Sequence, residues 1–142
     1  MRIFAATDGS EGATRAVERA ARLAQTCGAQ LFLVTVGSGR LTAEEVSMAK
    51  SLGIAQGDLL ERFSGEILVR ATAAARAAGA TQIETSDCIG EAAETLLDVA
   101  RRDKPDLLVV GRRGRGRVAG LVLGSVSQKL AASAPCAVLI VP

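Results

Sequence analysis

Residues 107–127, LLVVGRRGRGRVAGLVLGSVS, decide how this chain is read. Residues 107–110 are an unbroken apolar run of the kind that forms a buried strand. A loop rich in glycine and arginine follows, and Gly124-Ser125 opens the pattern of a last helix. Glycine lets backbone come close to an anion where a Cβ would block the approach. A helix N-terminus adds unpaired N–H donors and a partial positive charge, so phosphate settles there. The segment is therefore expected to grip the phosphates of a nucleotide, with the rest of the chain as its platform.

Outward from this segment, strands and helices alternate. Toward the N-terminus, Lys104-Pro105-Asp106 ends a helix expected over residues 90–102, with Ala93, Leu96, Leu97 and Ala100 inward. Before it, residues 81–87 read as a more polar strand near a sheet edge. Residues 44–78 are interrupted by Gly53, Gly57 and Gly65. They suggest a short helix, a break at 52–57 and a firm helix over 58–78, the break being either a flap or a surface loop. Thr42 and Glu45 have the spacing of a capping box.

Residues 31–36 read as a strand covered on both faces. Ala13, Ala16, Val17, Ala20, Leu23, Ala24 and Cys27 fall on one side of a helix. Ser10 is placed to cap that helix and Gly28 to stop it. Residues 2–7 open the chain as a strand. Toward the C-terminus, a helix over 125–133 stops at Pro135 and a strand over 136–141 follows. This order predicts an α/β fold, an open and mostly parallel five-stranded sheet with helices on both faces. In such sheets ligands bind beyond the carboxyl ends of the strands, where the strand order switches. Thr7-Asp8, Val36 and the glycine loop gather there.

Composition narrows the function. The 142 residues fit one domain, spanning 1–142, and such a domain buries roughly 68–70% of its unfolded surface. Apolar residues make up 49%, nearly all aliphatic, with three Phe and no Trp or Tyr. That disfavours stacking of nucleic-acid bases. The net charge of +2 gives no general polyanion field, although Arg112, Arg113, Arg115 and Arg117 cluster in one loop. Arg115 and Arg117 read as solvated loop charges. Three scattered cysteines, Cys27, Cys88 and Cys136, suggest reduced core thiols. The opening MRIFAATDGS lacks a secretory apolar region, and no apolar run approaches the about 20 residues of a membrane span. A cytoplasmic protein, with no membrane or nucleic-acid partner, is expected.

The loop is not a Walker A motif, because G-x-x-x-x-G-K-[ST] is absent. Nor is it a dinucleotide fingerprint, because Gly120 comes one residue too late after Gly114-x-Gly116, and the loop follows a late strand. It does match Gly111-x-x-Gly114, nine residues, then Gly124-Ser125. GRRG-x9-GS, with the opening ATDGS and with GEAAETLLDVA leading into PDLLVVG, closely resembles the universal stress protein family. The resemblance spans essentially the whole chain and is weakest over residues 38–78.

That resemblance implies a Rossmann-like fold with five parallel strands, a homodimer, and ATP bound with Mg²⁺ by the subgroup that keeps this glycine pattern. It implies that Ala6 and Thr7 border the base, Asp8 meets the nucleoside and Val36 packs on the adenine. Val110 and Gly111 would line the base and ribose side, and Arg113 and Gly114 would approach ribose and phosphate. Gly124, Ser125, Val126 and Ser127 would hold the phosphates. Many members carry His where this chain has Thr35 and Arg113, and an arginine fork there still suits phosphate. Plainer readings stay open: a strand-to-helix turn for the loop, helix caps for Asp8, Ser125 and Ser127.

The chain has no histidine, which removes Ser-His and Cys-His nucleophile systems and most zinc sites. Without a positioned base or a metal clamp, slow or no hydrolysis is expected. The first reading is a nucleotide-binding stress-response regulator with an unidentified protein partner. The alternatives are a slow ATP hydrolase and a nucleotide-free dimeric interaction module. The apolar strand CAVLIVP is expected at a sheet edge, pairing two copies through Ala137–Val141.

Overall fold

A computed structural model describes residues 1–116 and 122–142. The readings that touch Arg117 and Gly120 fall outside the described residues. Ten elements alternate as expected: β1 (Arg2–Ala6), α1 (Glu11–Cys27), β2 (Gln30–Gly37), α2 (Ala43–Leu52), α3 (Gln56–Ala77), β3 (Ile83–Ile89), α4 (Ala92–Asp103), β4 (Leu107–Gly111), α5 (Ser125–Ser133) and β5 (Ala137–Val141). The five strands form one sheet in the order β3-β2-β1-β4-β5, with every pairing parallel. β3 and β5 are the edges, as their sequences suggest.

Alternation along each strand builds two apolar layers. Ile3, Ala5, Leu31, Leu33 and Val109 point to one face, where α1 and α3 pack with Ala16, Val17, Ala20, Ala71 and Ala75. Phe4, Val34, Leu108 and Val110 point to the other, where α4 and α5 pack with Leu96, Leu97, Val99 and Leu130. Small alanines on α1 let the helix lie close to the sheet. Each fully buried Leu or Ile contributes roughly 1.5–3 kcal/mol of burial free energy.

The local signals act as written in the sequence. Ser10 Oγ accepts the Ala13 N–H and Gly28 takes the left-handed conformation after α1. Thr42 and Glu45 close both bonds of the capping box. The break expected at 52–57 is a helix break, with Gly53 left-handed after α2 and α3 starting at Gln56. Three expectations need correction. Cys27, at the last turn of α1, is exposed and outside the core, whereas Cys88 and Cys136 are partly buried and pack against the second apolar layer. Helix α4 begins at Ala92 because the Glu91 carboxylate caps it, accepting the N–H groups of Ala93 and Glu94. Strand β3 is displaced toward the C-terminus, because Leu31 pairs with Ile83 and Gly37 with Ile89.

Candidate functional site

The strand order reverses between β1 and β4. From β1 the chain passes to α1 on one face, and from β4 it passes to α5 on the other. Parting connections leave a crevice beyond these two strand ends. Its base carries Ala6, Thr7 and Asp8 from β1 and its turn, and Val110 and Gly111 from β4.

The glycine loop is fixed at its root by one carbonyl. Arg112 O accepts the Gly124 N–H at 2.8 Å and the Ser127 hydroxyl at 2.9 Å, while the Arg112 N–H donates to Val141 O at 2.7 Å. These bonds hold the start of α5 beside the end of β4. The glycines serve close packing as well as access. A Cβ on Gly111 would stand 2.8 Å from the backbone of Gly12, and one on Gly12 would stand 2.7 Å from Arg113 O. A Cβ on Gly114 would stand 2.5 Å from Asp8 Oδ2.

Asp8 ties the two halves of the site together. Its Oδ1 accepts the Ser10 N–H at 3.0 Å and its Oδ2 accepts the Arg115 N–H at 3.0 Å. The cap of α1 is Ser10, and Asp8 supports it from two residues upstream. Thr7 is buried, and its Oγ1 accepts the Gly9 N–H at 3.2 Å.

All twelve residues nominated from the sequence (Ala6, Thr7, Asp8, Val36, Val110, Gly111, Arg113, Gly114, Gly124, Ser125, Val126 and Ser127) line one cleft of about 290 Å³. One wall is apolar, with Val34, Val36, Val110 and Leu96. The opposite end is polar backbone from the glycine loop and the first turn of α5. That turn has no side-chain cap, and neither has the start of α3, whereas Ser10, Thr42 and Glu91 cap α1, α2 and α4. Gly124, Ser125, Val126 and Ser127 line the cleft, which places the positive end of the α5 dipole at its wall.

Ala13, Val34, Ala92, Leu96, Arg115 and Gly116 line the same cleft and were missed. Ala13 comes from α1, and Val34, Ala92 and Leu96 are core-type residues whose role appears only when β2 and α4 meet. Arg115 read as a solvated charge, yet its backbone is bonded to Asp8. Ser127 is 2% exposed and its hydroxyl also lies 3.0 Å from Gly124 O, so its proton serves the loop root.

A planar apolar group fits the Val-Leu wall, and an anion fits the uncapped turn. Glu94 of α4 pairs with Lys129 of α5, joining the two helices. That bond holds the Lys129 ammonium above its ordinary range. The N–H groups of Glu94 and Ala93 hold the Glu91 carboxyl below its ordinary range. Among the described residues no group of three or more His, Cys, Asp or Glu side chains could hold a metal by itself. Nor is any helix among them long and apolar enough to cross a membrane.

The sequence profile of the universal stress protein family matches residues 1–142. A universal stress protein of Thermus aquaticus is 38% identical over 142 residues, covering 98% of this chain and 96% of its own. One of Mycobacterium tuberculosis is 35% identical over 144 residues, covering 98% and 94%. Among solved structures, a universal stress protein in complex with cAMP is 33% identical, with a TM-score of 0.72 and coverage of 100% and 96%. A universal stress protein of Lactobacillus plantarum shares the fold with a TM-score of 0.80 at 22% identity, covering 100% and 97%.

Proposed function

The chain belongs to the universal stress protein family, and from that premise we propose that it is a member of the ATP-binding subgroup. It binds ATP with Mg²⁺ in the cleft beyond β1 and β4, and acts as a cytoplasmic stress-response regulator with slow or no hydrolysis. The observation that carries this reading is the meeting, in one cleft, of an apolar wall and an uncapped helix turn suited to phosphate.

In this reading the adenine packs against Val36 and Val110, with Ala6 and Thr7 at its border. Asp8 has lone pairs left to accept from the ribose. Gly111, Arg113 and Gly114 follow the ribose and phosphates, and Gly124, Ser125, Val126 and Ser127 hold the phosphates. The dipole of α5 contributes about 0.3–1 kcal/mol, up to about 2 in a partly buried setting, so arginine and several backbone donors supply the remainder. Asp8 is the single carboxylate among the described lining residues, so Mg²⁺ is read as arriving on the phosphates, where it neutralises charge. Both Asp8 oxygens already accept backbone N–H groups, and the chain has no histidine. A base for water is therefore lacking, which favours retention of the nucleotide over turnover.

The relative solved with cAMP favours a second reading, in which a cyclic nucleotide occupies the same cleft. Chromatography of the supernatant from denatured, purified protein separates these cases. Released ATP supports the first reading and released cAMP the second. Absence of any nucleotide, with no uptake on adding either, moves the function to a dimeric interaction module. The proposal includes a two-fold homodimer through Ala137–Val141, whose outer ladder has no partner within the sheet. A monomer at every concentration in sedimentation would count against it.

A further inference from the structure

We infer that Arg70 of α3 and Arg115 of the glycine loop form a clamp for the outermost phosphate of a nucleoside polyphosphate. This inference rests on the nucleotide-binding reading of the cleft. Both guanidinium groups reach the same place. Arg115 Nη2 and Arg70 Nη2 each lie 3.4 Å from the point a Cβ on Gly9 would occupy, with Ile67 Cγ1 at 3.2 Å as the wall behind. Gly9 has a φ of +79°, in the left-handed region, so the turn presents bare backbone where the two cations converge.

The pair is attached to the site. Gly9 follows Asp8, and the Asp8 carboxylate holds the Arg115 backbone N–H. Arg115 lines the cleft, whereas Gly9 and Arg70 are not among its lining residues and adjoin it through Arg115 and Asp8. Neither guanidinium has an ion pair or side-chain hydrogen bond among the described residues, although Arg15, Arg101 and Arg102 each find a carboxylate. Two like charges converging without a carboxylate repel, and an anion between them reverses the sign of the interaction. Guanidinium forks match phosphate oxygens in geometry as well as charge.

A monophosphate seated on the first turn of α5 leaves this pair unused. A triphosphate running from that turn along Gly114 and Arg115 brings its last phosphate to the pair. Arg70 is thus a determinant of phosphate-chain length, supplied by a helix that contributes nothing to the cleft lining.

The test is calorimetric titration of wild type and Arg70→Gln with AMP, ADP and Mg-ATP at one fixed salt concentration. Arg70 is exposed on α3, and AMP binding reports whether the variant retains its fold and adenosine site. The expected result is a ten- to hundredfold loss of ATP affinity in the variant, with AMP affinity within twofold of wild type. Unchanged ATP affinity, or equal losses for AMP and ATP, overturns the clamp and leaves the nucleotide-binding reading intact. A wild type that binds none of the three overturns the nucleotide-binding reading, and the clamp with it.

Discussion

The Asp8 carboxylate accepts the backbone N–H of Arg115 at 3.0 Å, although the two residues are 107 apart in the chain. Its other oxygen accepts the Ser10 N–H at the start of α1. One carboxylate thereby joins the end of the first strand, the cap region of the first helix and the glycine loop after the fourth strand. Gly114 makes room for this bond, since any Cβ there would meet Asp8 Oδ2 at 2.5 Å.

Asp8→Ala removes both bonds and frees the loop from β1. Hydrogen bonds to a charged acceptor contribute about 1.5–3 kcal/mol, and the partial exposure of Asp8 places the loss in stability at about 1–2 kcal/mol. Nucleotide affinity is expected to fall by at least tenfold, a larger effect than on the fold. Urea denaturation and calorimetry on one preparation separate the two. Unchanged affinity would detach Asp8 from the site.

Ser127 supports the root of the loop. Ser127→Ala removes its donation to Arg112 O at 2.9 Å, but that carbonyl keeps the Gly124 N–H at 2.8 Å and is not orphaned. The expected cost is about 1 kcal/mol, with a severalfold loss of nucleotide affinity. Thermal unfolding and titration read both. An affinity loss as large as that for Asp8→Ala would instead assign Ser127 a direct hold on the phosphate.

Acid stability reports on the start of α4, which carries Ala92 and Leu96 into the cleft. The N–H groups of Glu94 and Ala93 lower the folded-state pKa of Glu91 below its ordinary value of 4.5. Its contribution is therefore complete above that value and is lost as pH falls through the lowered one. Thermal midpoints measured from pH 7 to pH 3 should show a shallower acid limb for Glu91→Gln than for wild type. Parallel limbs would mean that the cap does not titrate with the fold.

Much of the fold is legible in the sequence because its signals are local. The Thr42–Glu45 box, the Ser10 cap, the Gly28 stop and the apolar runs at 31–36 and 107–110 need no knowledge of distant partners. The nominated site residues lie at strand ends and helix starts, so an alternating topology brings them together. What was missed is long-range. Val34, Ala92 and Leu96 become a cleft wall only when α4 docks on β2. Gly111 is small in part because Gly12 lies against it, a contact between β4 and α1 that spacing does not announce. Cys27 follows the apolar stripe of α1 but sits at its end, where the helix gives it no cover. Glu91 as a cap breaks the usual preference for Ser, Thr, Asp or Asn, which is why the start of α4 was placed too early.

Calorimetric titration of emptied protein with Mg-ATP, beside a Gly114→Val, Gly124→Val variant, tests the central claim most directly. A Cβ at Gly124 would lie 3.3 Å from Arg112 O, so both changes act at the loop and its root and spare the two core layers. Saturable binding of one nucleotide per chain by the wild type, lost in a variant with wild-type circular dichroism, is the expected result. Equal binding by both proteins would place the nucleotide elsewhere, and heat from neither would contradict the assignment of this cleft as a nucleotide site.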